Sequence, residues 1–158
     1  MESFLLDTSA LVKYYHPETG SQWLLNLVRR EQPHLLVSNL TVVEMHSALA
    51  KKYRCRAISF QAYQAAVDEL VRDMDEGRFA VVELTSHVQT LAINLLKKHA
   101  PTRALRTLDA LQLAVAMDLK EHGRLGTFVV ADETLADVAT QEGITAVNPE
   151  TMGQTEVR

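Results

Sequence analysis

The sequence predicts an α/β fold, a three-layer α/β/α sandwich with a central parallel sheet. Three observations support this prediction: short apolar runs alternate with longer amphipathic stretches, glycine and proline are few and scattered, and no internal repeat is present. Strands that alternate with helices at this spacing indicate a parallel sheet with helices on both faces. The length of 158 residues suits a single domain, which we place at residues 1–150, followed by a C-terminal tail at 151–158.

Five short apolar runs have the length and composition of buried strands. They are Phe4–Leu6, Leu35–Val37, Phe79–Leu84, Thr127–Ala131 and Ile144–Val147. Apolar residues at helical spacing predict helices between these runs, at Trp23–Val28, Val42–Arg56, Phe60–Met74, Val88–Lys98, Leu108–Lys120 and Ala136–Gln141. The connection between the second and third strands is long and wholly helical, so we expect a projecting helical hairpin there.

The composition argues against several classes of protein. Hydrophobic residues make up 47% and charged residues 23%, as in ordinary globular domains. No run approaches the roughly 18 consecutive apolar residues of a membrane helix, and the N-terminus lacks the features of a secretory signal. Cys55 is the single cysteine, so an internal disulfide and a thiolate zinc site are not expected. The six histidines form no pair at helical ligand spacing, so zinc catalysis is not expected either. The expected location of the protein is the cytoplasm.

Four acidic residues stand at junctions between the predicted elements. Asp7 and Asp132 end the first and fourth strands, whereas Glu44 and Asp109 are expected in the first turns of two helices. Each position alone has a structural explanation. An aspartate at a strand–helix junction caps the helix N-terminus, Glu44 has capping-box spacing from Thr41, and an acid in a first turn suits the helix dipole.

Together the four acids indicate chemistry. The carboxyl ends of parallel strands meet at one edge of a sheet, where such sheets bind their ligands. Carboxylates crowded there repel one another and raise one another's pKa values unless a cation intervenes. Oxygen ligands favour Mg²⁺ or Mn²⁺, and such an ion can activate water and stabilise phosphoryl oxygens during in-line attack. The residues therefore predict a divalent-metal site suited to phosphoryl chemistry.

Four segments resemble the motifs of the PIN domain family, and within it the VapC-type toxins of prokaryotic toxin–antitoxin pairs. The resemblance covers nearly the whole chain and follows the family's order and spacing. The segments are Phe4-Leu5-Leu6-Asp7-Thr8-Ser9-Ala10-Leu11-Val12-Lys13, Thr41-Val42-Val43-Glu44, Leu108-Asp109-Ala110-Leu111-Gln112-Leu113-Ala114 and Ala131-Asp132-Glu133-Thr134-Leu135.

This resemblance implies a parallel α/β/α sandwich, Mg²⁺- or Mn²⁺-dependent cleavage of RNA, a homodimer, and neutralisation by an antitoxin protein. Asp7 and Asp109 would be the main metal ligands. Glu44 and Asp132 would complete the catalytic cluster and orient water or a second ion. Thr8 or Ser9 would add a hydroxyl group to the site. The chain departs from the family at Val130, where a small hydroxyl residue is frequent, and this removes a possible hydrogen bond that would support Asp132.

Basic residues near the acids have two interpretations. Arg103 and Arg106, just before Asp109, would either contact phosphates at the mouth of the site or neutralise nearby carboxylates. A second basic group lies at the far end of the helix that carries Glu44, about 15–20 Å away at 1.5 Å per residue, where it suits distal RNA better than catalysis. This group comprises Lys51, Lys52, Arg54 and Arg56.

Three other functions compete with a metal-dependent ribonuclease toxin. A PIN nuclease that acts in RNA processing would have the same acids. A non-catalytic module that binds RNA or a partner would have no reason to keep mutually repelling carboxylates. A phosphoacceptor signalling domain also has an acid after its first strand, but it needs a lysine at the end of a later strand, where this chain has Ala131-Asp132.

Overall fold

The computed structural model describes residues 2–152, which contain five strands and eight helices. The strands are β1 (Ser3–Leu6), β2 (His34–Ser38), β3 (Ala80–Val82), β4 (Thr127–Val129) and β5 (Ala146–Val147). The helices are α1 (Thr8–Tyr15), α2 (Ser21–Val28), α3 (Asn39–Arg54), α4 (Phe60–Asp75), α5 (Ser86–His99), α6 (Thr107–Glu121), α7 (Glu133–Gln141) and α8 (Pro149–Met152). All five predicted strands are present, although β3, β4 and β5 are shorter than the apolar runs that predicted them.

The strands form one parallel sheet in the order β3-β2-β1-β4-β5. The central strand β1 pairs with β2 through Phe4 and Leu35 and with β4 through Phe4 and Thr127. Because every strand runs in the same direction, all their carboxyl ends lie along one edge of the sheet. The predicted parallel sheet is confirmed, and its carboxyl edge is where the four acids are expected.

Side chains of the central strands alternate between two separate cores, as the period of two in a strand requires. Leu5, Leu36 and Phe128 pack into the core that also contains buried residues of α5, α6 and α7. Phe4 and Val37, one position away on the same strands, pack into a second core with residues of α1, α2, α3 and α4. Helices therefore cover both faces of the sheet, and the three-layer prediction is confirmed.

The predicted helical hairpin between the second and third strands is formed by α3 and α4. Residues 55–59 join the two helices. At this end of the hairpin the rings of Tyr53 and Tyr63 stack with centroids 5.6 Å apart, and Phe60 lies 5.5 Å from Tyr53. Tyr53 and Phe60 remain partly exposed.

The start of α3 differs from the sequence prediction. The Ser38 hydroxyl accepts a hydrogen bond from the Thr41 backbone N–H and caps the helix, which therefore begins at Asn39. Two expectations for Glu44 were wrong: it lies in the second turn of α3 rather than the first, and Thr41 is not the cap of a capping box. The sequence has hydroxyl residues at both 38 and 41, and only the end of β2 decides which of them caps the helix.

The last described helix, α8, packs against α2. Gly20 permits this approach, because it has φ of +90° and a Cβ atom there would lie 2.9 Å from the carbonyl carbon of Pro149. Glu150 accepts a hydrogen bond from the buried Lys13 ammonium group of α1 at 2.5 Å. From residue 153 onward the predicted tail lies outside the described residues. No helix within residues 2–152 combines the length and apolar character needed to cross a membrane.

Candidate active site

Asp7 lies at the carboxyl end of the central strand and caps α1. Its Oδ2 atom accepts hydrogen bonds from the Ser9 backbone N–H at 3.0 Å and from the Ser9 hydroxyl at 2.6 Å. The side chain is almost completely buried. Burial raises the pKa of Asp7 to about 6, the hydrogen bonds from Ser9 oppose that rise, and the nearby Glu44 and Asp109 carboxylates add to it. The capping role and the place in an acidic cluster are therefore both present at Asp7.

Glu44 reaches the same edge of the sheet from α3. Its Oε2 atom accepts one hydrogen bond from the Thr8 hydroxyl at 2.9 Å and a second from the Gln112 side-chain amide at 2.8 Å. Thr8 follows β1 and Gln112 belongs to α6, so three separate segments meet at this one carboxylate. Its Oε1 atom accepts no hydrogen bond within the described part of the chain.

Asp109 and Asp132 share a cationic neighbour. The Arg106 guanidinium donates to Asp109 Oδ2 through Nε at 2.9 Å, and its Nη2 lies 3.7 Å from Asp132 Oδ2. The hydrogen bond to Asp109 raises the pKa of Arg106 above its ordinary value. Arg106 itself is 73% exposed, so its contact with the acids is made from the solvent side.

Asp132 is fixed by its backbone surroundings. Its Oδ1 atom accepts from the Leu135 backbone N–H at 2.8 Å and caps α7. Val130, where the family frequently has a hydroxyl residue, is completely buried in the core. The cap on α7 therefore holds the Asp132 carboxylate in place in a chain that has no hydroxyl group at position 130.

All four acids line one open cleft of about 590 Å³. The other residues at the cleft are Thr8, Ser9, Leu40, Val43, Ser47, Ala48, Lys51, Arg106 and Leu108. A separate surface hollow is bounded by Glu2, Arg30 and Pro33. That hollow lies at the amino ends of β1 and β2, the wrong edge for ligand binding by a parallel sheet. The acidic cleft is therefore the candidate active site.

Arg103 is the one predicted site residue that does not line the cleft. Its guanidinium lies beside α7, where the Gln141 side-chain oxygen accepts a hydrogen bond from it at 3.2 Å when the amide is oriented toward the arginine. Of the two arginines, only Arg106 meets the acids.

Among the residues at the site that were not assigned to it from the sequence, Lys51 and Gln112 can bind a phosphate group or orient an acid. Lys51 lines the cleft because it lies seven residues, or two helical turns, after Glu44 and therefore on the same face of α3. At 1.5 Å per residue this separation is roughly 10 Å along the helix axis, which is shorter than the distance expected for the basic group as a whole. Gln112 is the second residue. The sequence feature that could have indicated its role is a polar side chain within the largely apolar stretch 108–117.

The acids do not form a closed metal site as they stand. Within residues 2–152 no three His, Cys, Asp or Glu side chains are placed closely enough to hold an ion together. The Arg106 guanidinium instead supplies positive charge beside Asp109 and Asp132. The positive charge beside these two acids therefore belongs to a side chain that is mostly exposed.

The family model of the PIN domain matches residues 4–147. This chain belongs to the PIN domain family. A search of curated protein sequences returns no match. The comparison with solved structures gives several neighbours of low sequence identity, which show that the PIN fold is shared.

Three solved structures illustrate this likeness in fold. VapC20 of Mycobacterium tuberculosis, described as a sarcin-ricin loop cleaving toxin, has a TM-score of 0.65 at 19% identity over 91% of this chain and 98% of that chain. FitAcB from Neisseria gonorrhoeae has a TM-score of 0.64 at 18% identity over 94% and 99%. A toxin–antitoxin complex from Klebsiella pneumoniae has a TM-score of 0.59 at 19% identity over 92% and 96%.

Proposed function

We propose that this PIN-domain protein is a divalent-metal-dependent endoribonuclease and the toxin of a toxin–antitoxin pair. The observation that carries the proposal is the convergence of Asp7, Glu44, Asp109 and Asp132 on one open cleft at the carboxyl edge of the sheet. Two proteins of the same fold add support: one is described as a toxin that cleaves the sarcin-ricin loop, the other as a toxin–antitoxin complex.

The donor atoms in the cleft suit Mg²⁺ or Mn²⁺, which prefer oxygen ligands. Asp7, Glu44 and Asp132 each use one carboxylate oxygen for hydrogen bonds within residues 2–152 and keep the other free of them. Within the same residues, both oxygens of Asp109 are bound by a single partner, the exposed guanidinium of Arg106. The backbone and side-chain contacts thus orient the acids without consuming their capacity to bind a metal ion.

Asp7 and Asp109 would hold the ion directly. When bound, the ion would lower the pKa of a coordinated water and offset negative charge on the phosphoryl oxygens. Glu44, fixed by Thr8 and Gln112, and Asp132, fixed by Leu135, would orient the attacking water or a second ion. Ser9 would keep Asp7 in place, because its hydroxyl also accepts from the Ala131 backbone N–H at 2.9 Å and so connects the ends of β1 and β4.

Arg106 would have two successive partners. In the metal-free protein it neutralises Asp109 and Asp132. When an ion takes over that role, the exposed guanidinium can contact the phosphate groups of RNA, for which a planar bidentate donor is well suited. Lys51, on the neighbouring face of the cleft, would add a second phosphate contact.

A cleavage assay tests the nuclease proposal. We expect the purified protein to cut RNA with Mg²⁺ or Mn²⁺, and EDTA or Asp7→Ala to abolish cutting. The matched control is Asp137→Asn, which removes an exposed acid of α7 outside the cleft. Unchanged cleavage by Asp7→Ala would trace the activity to a contaminant and contradict the proposal. Salt-sensitive RNA binding without products under any metal would favour a non-catalytic binding module.

The toxin role is tested separately from the chemistry. We expect induced expression of the wild type to arrest cell growth, whereas cells that express Asp7→Ala should continue to grow. Co-expression of a small DNA-binding protein encoded next to this one should restore growth in cells that express the wild type. Cleavage in vitro without any effect on growth would favour a nuclease of RNA processing. We also propose that the protein is a homodimer and lies in the cytoplasm. Light scattering coupled to gel filtration measures the oligomeric state.

A further inference from the structure

A polar cluster lies behind the cleft, inside the core. Ser38, Thr41 and Gln112 are each at most 1% exposed. Ser38 ends β2, Thr41 is in the first turn of α3, and Gln112 is in the middle of α6. Every buried side-chain nitrogen and oxygen within residues 2–152 has a hydrogen-bond partner, so this cluster is satisfied even though it excludes solvent.

The Glu44 carboxylate sets the direction of the hydrogen bonds in the cluster, because it can only accept and therefore faces the NH₂ group of Gln112. Gln112 Oε1 then faces Ser38, whose hydroxyl donates to it at 2.9 Å. Ser38 therefore has no proton left for Thr41, so in their 3.0 Å contact the Thr41 hydroxyl is the donor. Thr41 Oγ1 in turn accepts from Gln112 Nε2 at 2.8 Å. The side-chain oxygen of Gln112 thus faces Ser38, and its NH₂ group faces Thr41 and Glu44.

This direction matters at Glu44. The second proton of Gln112 Nε2 goes to Glu44 Oε2 at 2.8 Å. The opposite amide orientation would place a carbonyl oxygen against the carboxylate. The hydroxyl groups of Ser38 and Thr41 both donate and accept and so suit either orientation, and Glu44 is the neighbour that requires the donor.

We propose that Gln112 is a positioning residue that holds the Glu44 carboxylate ready for a divalent ion, an inference that rests on the proposed metal-dependent function. Glutamate has a flexible side chain, and within residues 2–152 two donors restrain Glu44: Thr8, at the partly exposed start of α1, and the buried Gln112. Both donors bind Oε2, which leaves Oε1 available to the metal or its water. Side chains that orient a metal ligand in this way typically contribute 10–100-fold to metal affinity or activity.

A purely structural role for Gln112 makes a different prediction. If the amide only joined α3 to α6, its loss would lower the melting temperature without changing the affinity of the folded protein for metal. Affinity for Mn²⁺ in the absence of RNA, measured by calorimetry well below the melting temperature, therefore separates the two roles.

The test compares two changes at Gln112 with one at its neighbour. Gln112→Met keeps the length of the side chain without its polar atoms, and Gln112→Glu keeps the shape but replaces the donor that faces Glu44. Leu113→Ala is the control, because Leu113 is a completely buried core residue of the same helix and destabilises without touching Glu44. We expect Mn²⁺ to bind about 10–100-fold more weakly to both Gln112 variants and with wild-type affinity to Leu113→Ala. Affinity within twofold of wild type for Gln112→Met, or an equal loss for Leu113→Ala, would overturn the proposal.

A second measurement needs no metal and separates this inference from the proposed function. Crystal structures of the metal-free wild type and Gln112→Met, or of Gln112→Glu if the methionine variant does not fold, report the position of Glu44. We expect one conformer bound to Thr8 in the wild type and several conformers in the variant. A wild type that takes up no Mn²⁺ would contradict the metal-dependent function, and Glu44 unmoved in the variant would by itself contradict the positioning role.

Discussion

Replacing Asp7 with asparagine is expected to stabilise the metal-free protein while abolishing RNA cleavage. Asp7 is 5% exposed, and its pKa rises from 3.8 to about 6 because burial and the neighbouring carboxylates disfavour the charged form. At 1.36 kcal/mol per pH unit, this difference means that ionised Asp7 costs the folded state about 3 kcal/mol at neutral pH. The hydrogen bonds from Ser9 lower this pKa and are therefore already contained in that figure. Asparagine is uncharged and similar in shape, so the expected gain is about 3 kcal/mol.

The sign of this effect fixes its dependence on pH. Below about pH 4 Asp7 is protonated in both the folded and the unfolded protein, so it does not change the free energy of unfolding. Between pH 4 and 6 the unfolded state ionises first, and the stability of the wild type falls. Above about pH 6 the loss is complete. The advantage of Asp7→Asn should therefore grow through this window and stay constant at higher pH.

Urea unfolding of the metal-free proteins at several pH values measures this difference in the free energy of unfolding. In thermal unfolding at neutral pH we expect Asp7→Asn to melt about 6–12 °C above the wild type, at about 2–4 °C per kcal/mol for a chain of this size. Mn²⁺ should reverse the order, because it stabilises only the protein that binds it. Asp137→Asn is the matched loss of a carboxylate and should show neither effect. An Asp7→Asn protein no more stable than the wild type at pH 7.5 would refute the reasoning.

Three further predictions concern other contacts. Arg106→Gln should tighten Mn²⁺ binding, because a competing cation is removed from Asp109 and Asp132, and should raise KM for RNA; weaker Mn²⁺ binding in calorimetry would contradict the role given to this arginine. Lys51→Gln should weaken the binding of all RNA sequences equally and reduce the salt dependence of binding by about one phosphate contact. Filter binding at several salt concentrations measures this dependence, and an unchanged slope of affinity against salt would contradict the prediction. Gly20→Ala should destabilise by more than the roughly 1–2 kcal/mol that the left-handed conformation costs alanine, because its Cβ would also meet Pro149. Gly77→Ala, with φ of +70° and open space around it, is the control in thermal unfolding.

The layers and the acidic edge were predictable because each depends on a local pattern. Apolar runs of three to six residues between amphipathic helices favour a parallel sheet, since helices on both of its faces bury both sides of such strands. The direction of the strands then brings Asp7 and Asp132 to one edge even though 124 positions separate them in the chain. Topology alone is sufficient for that step.

The finer structure of the site depends on contacts between distant segments, which no local pattern encodes. Two arginines stand three positions apart before Asp109, and only the path of the chain after α5 shows that Arg106 meets the acids whereas Arg103 lies beside Gln141. Ser38 and Thr41 are equally plausible caps by residue type, and the end of β2 decides between them. The role of Gln112 likewise depends on a contact between distant segments, because its amide on α6 donates to Glu44 on α3.

The most direct measurement is the anomalous scattering of manganese in crystals grown with Mn²⁺. The account predicts a peak in the cleft with carboxylate oxygens of Asp7 and Asp109 among its ligands, and no such peak in crystals of Asp7→Asn. A cleft that stays free of manganese at millimolar concentration, or a manganese peak bound only by acids elsewhere on the surface, would contradict the claim that these distant carboxylates act together on one ion.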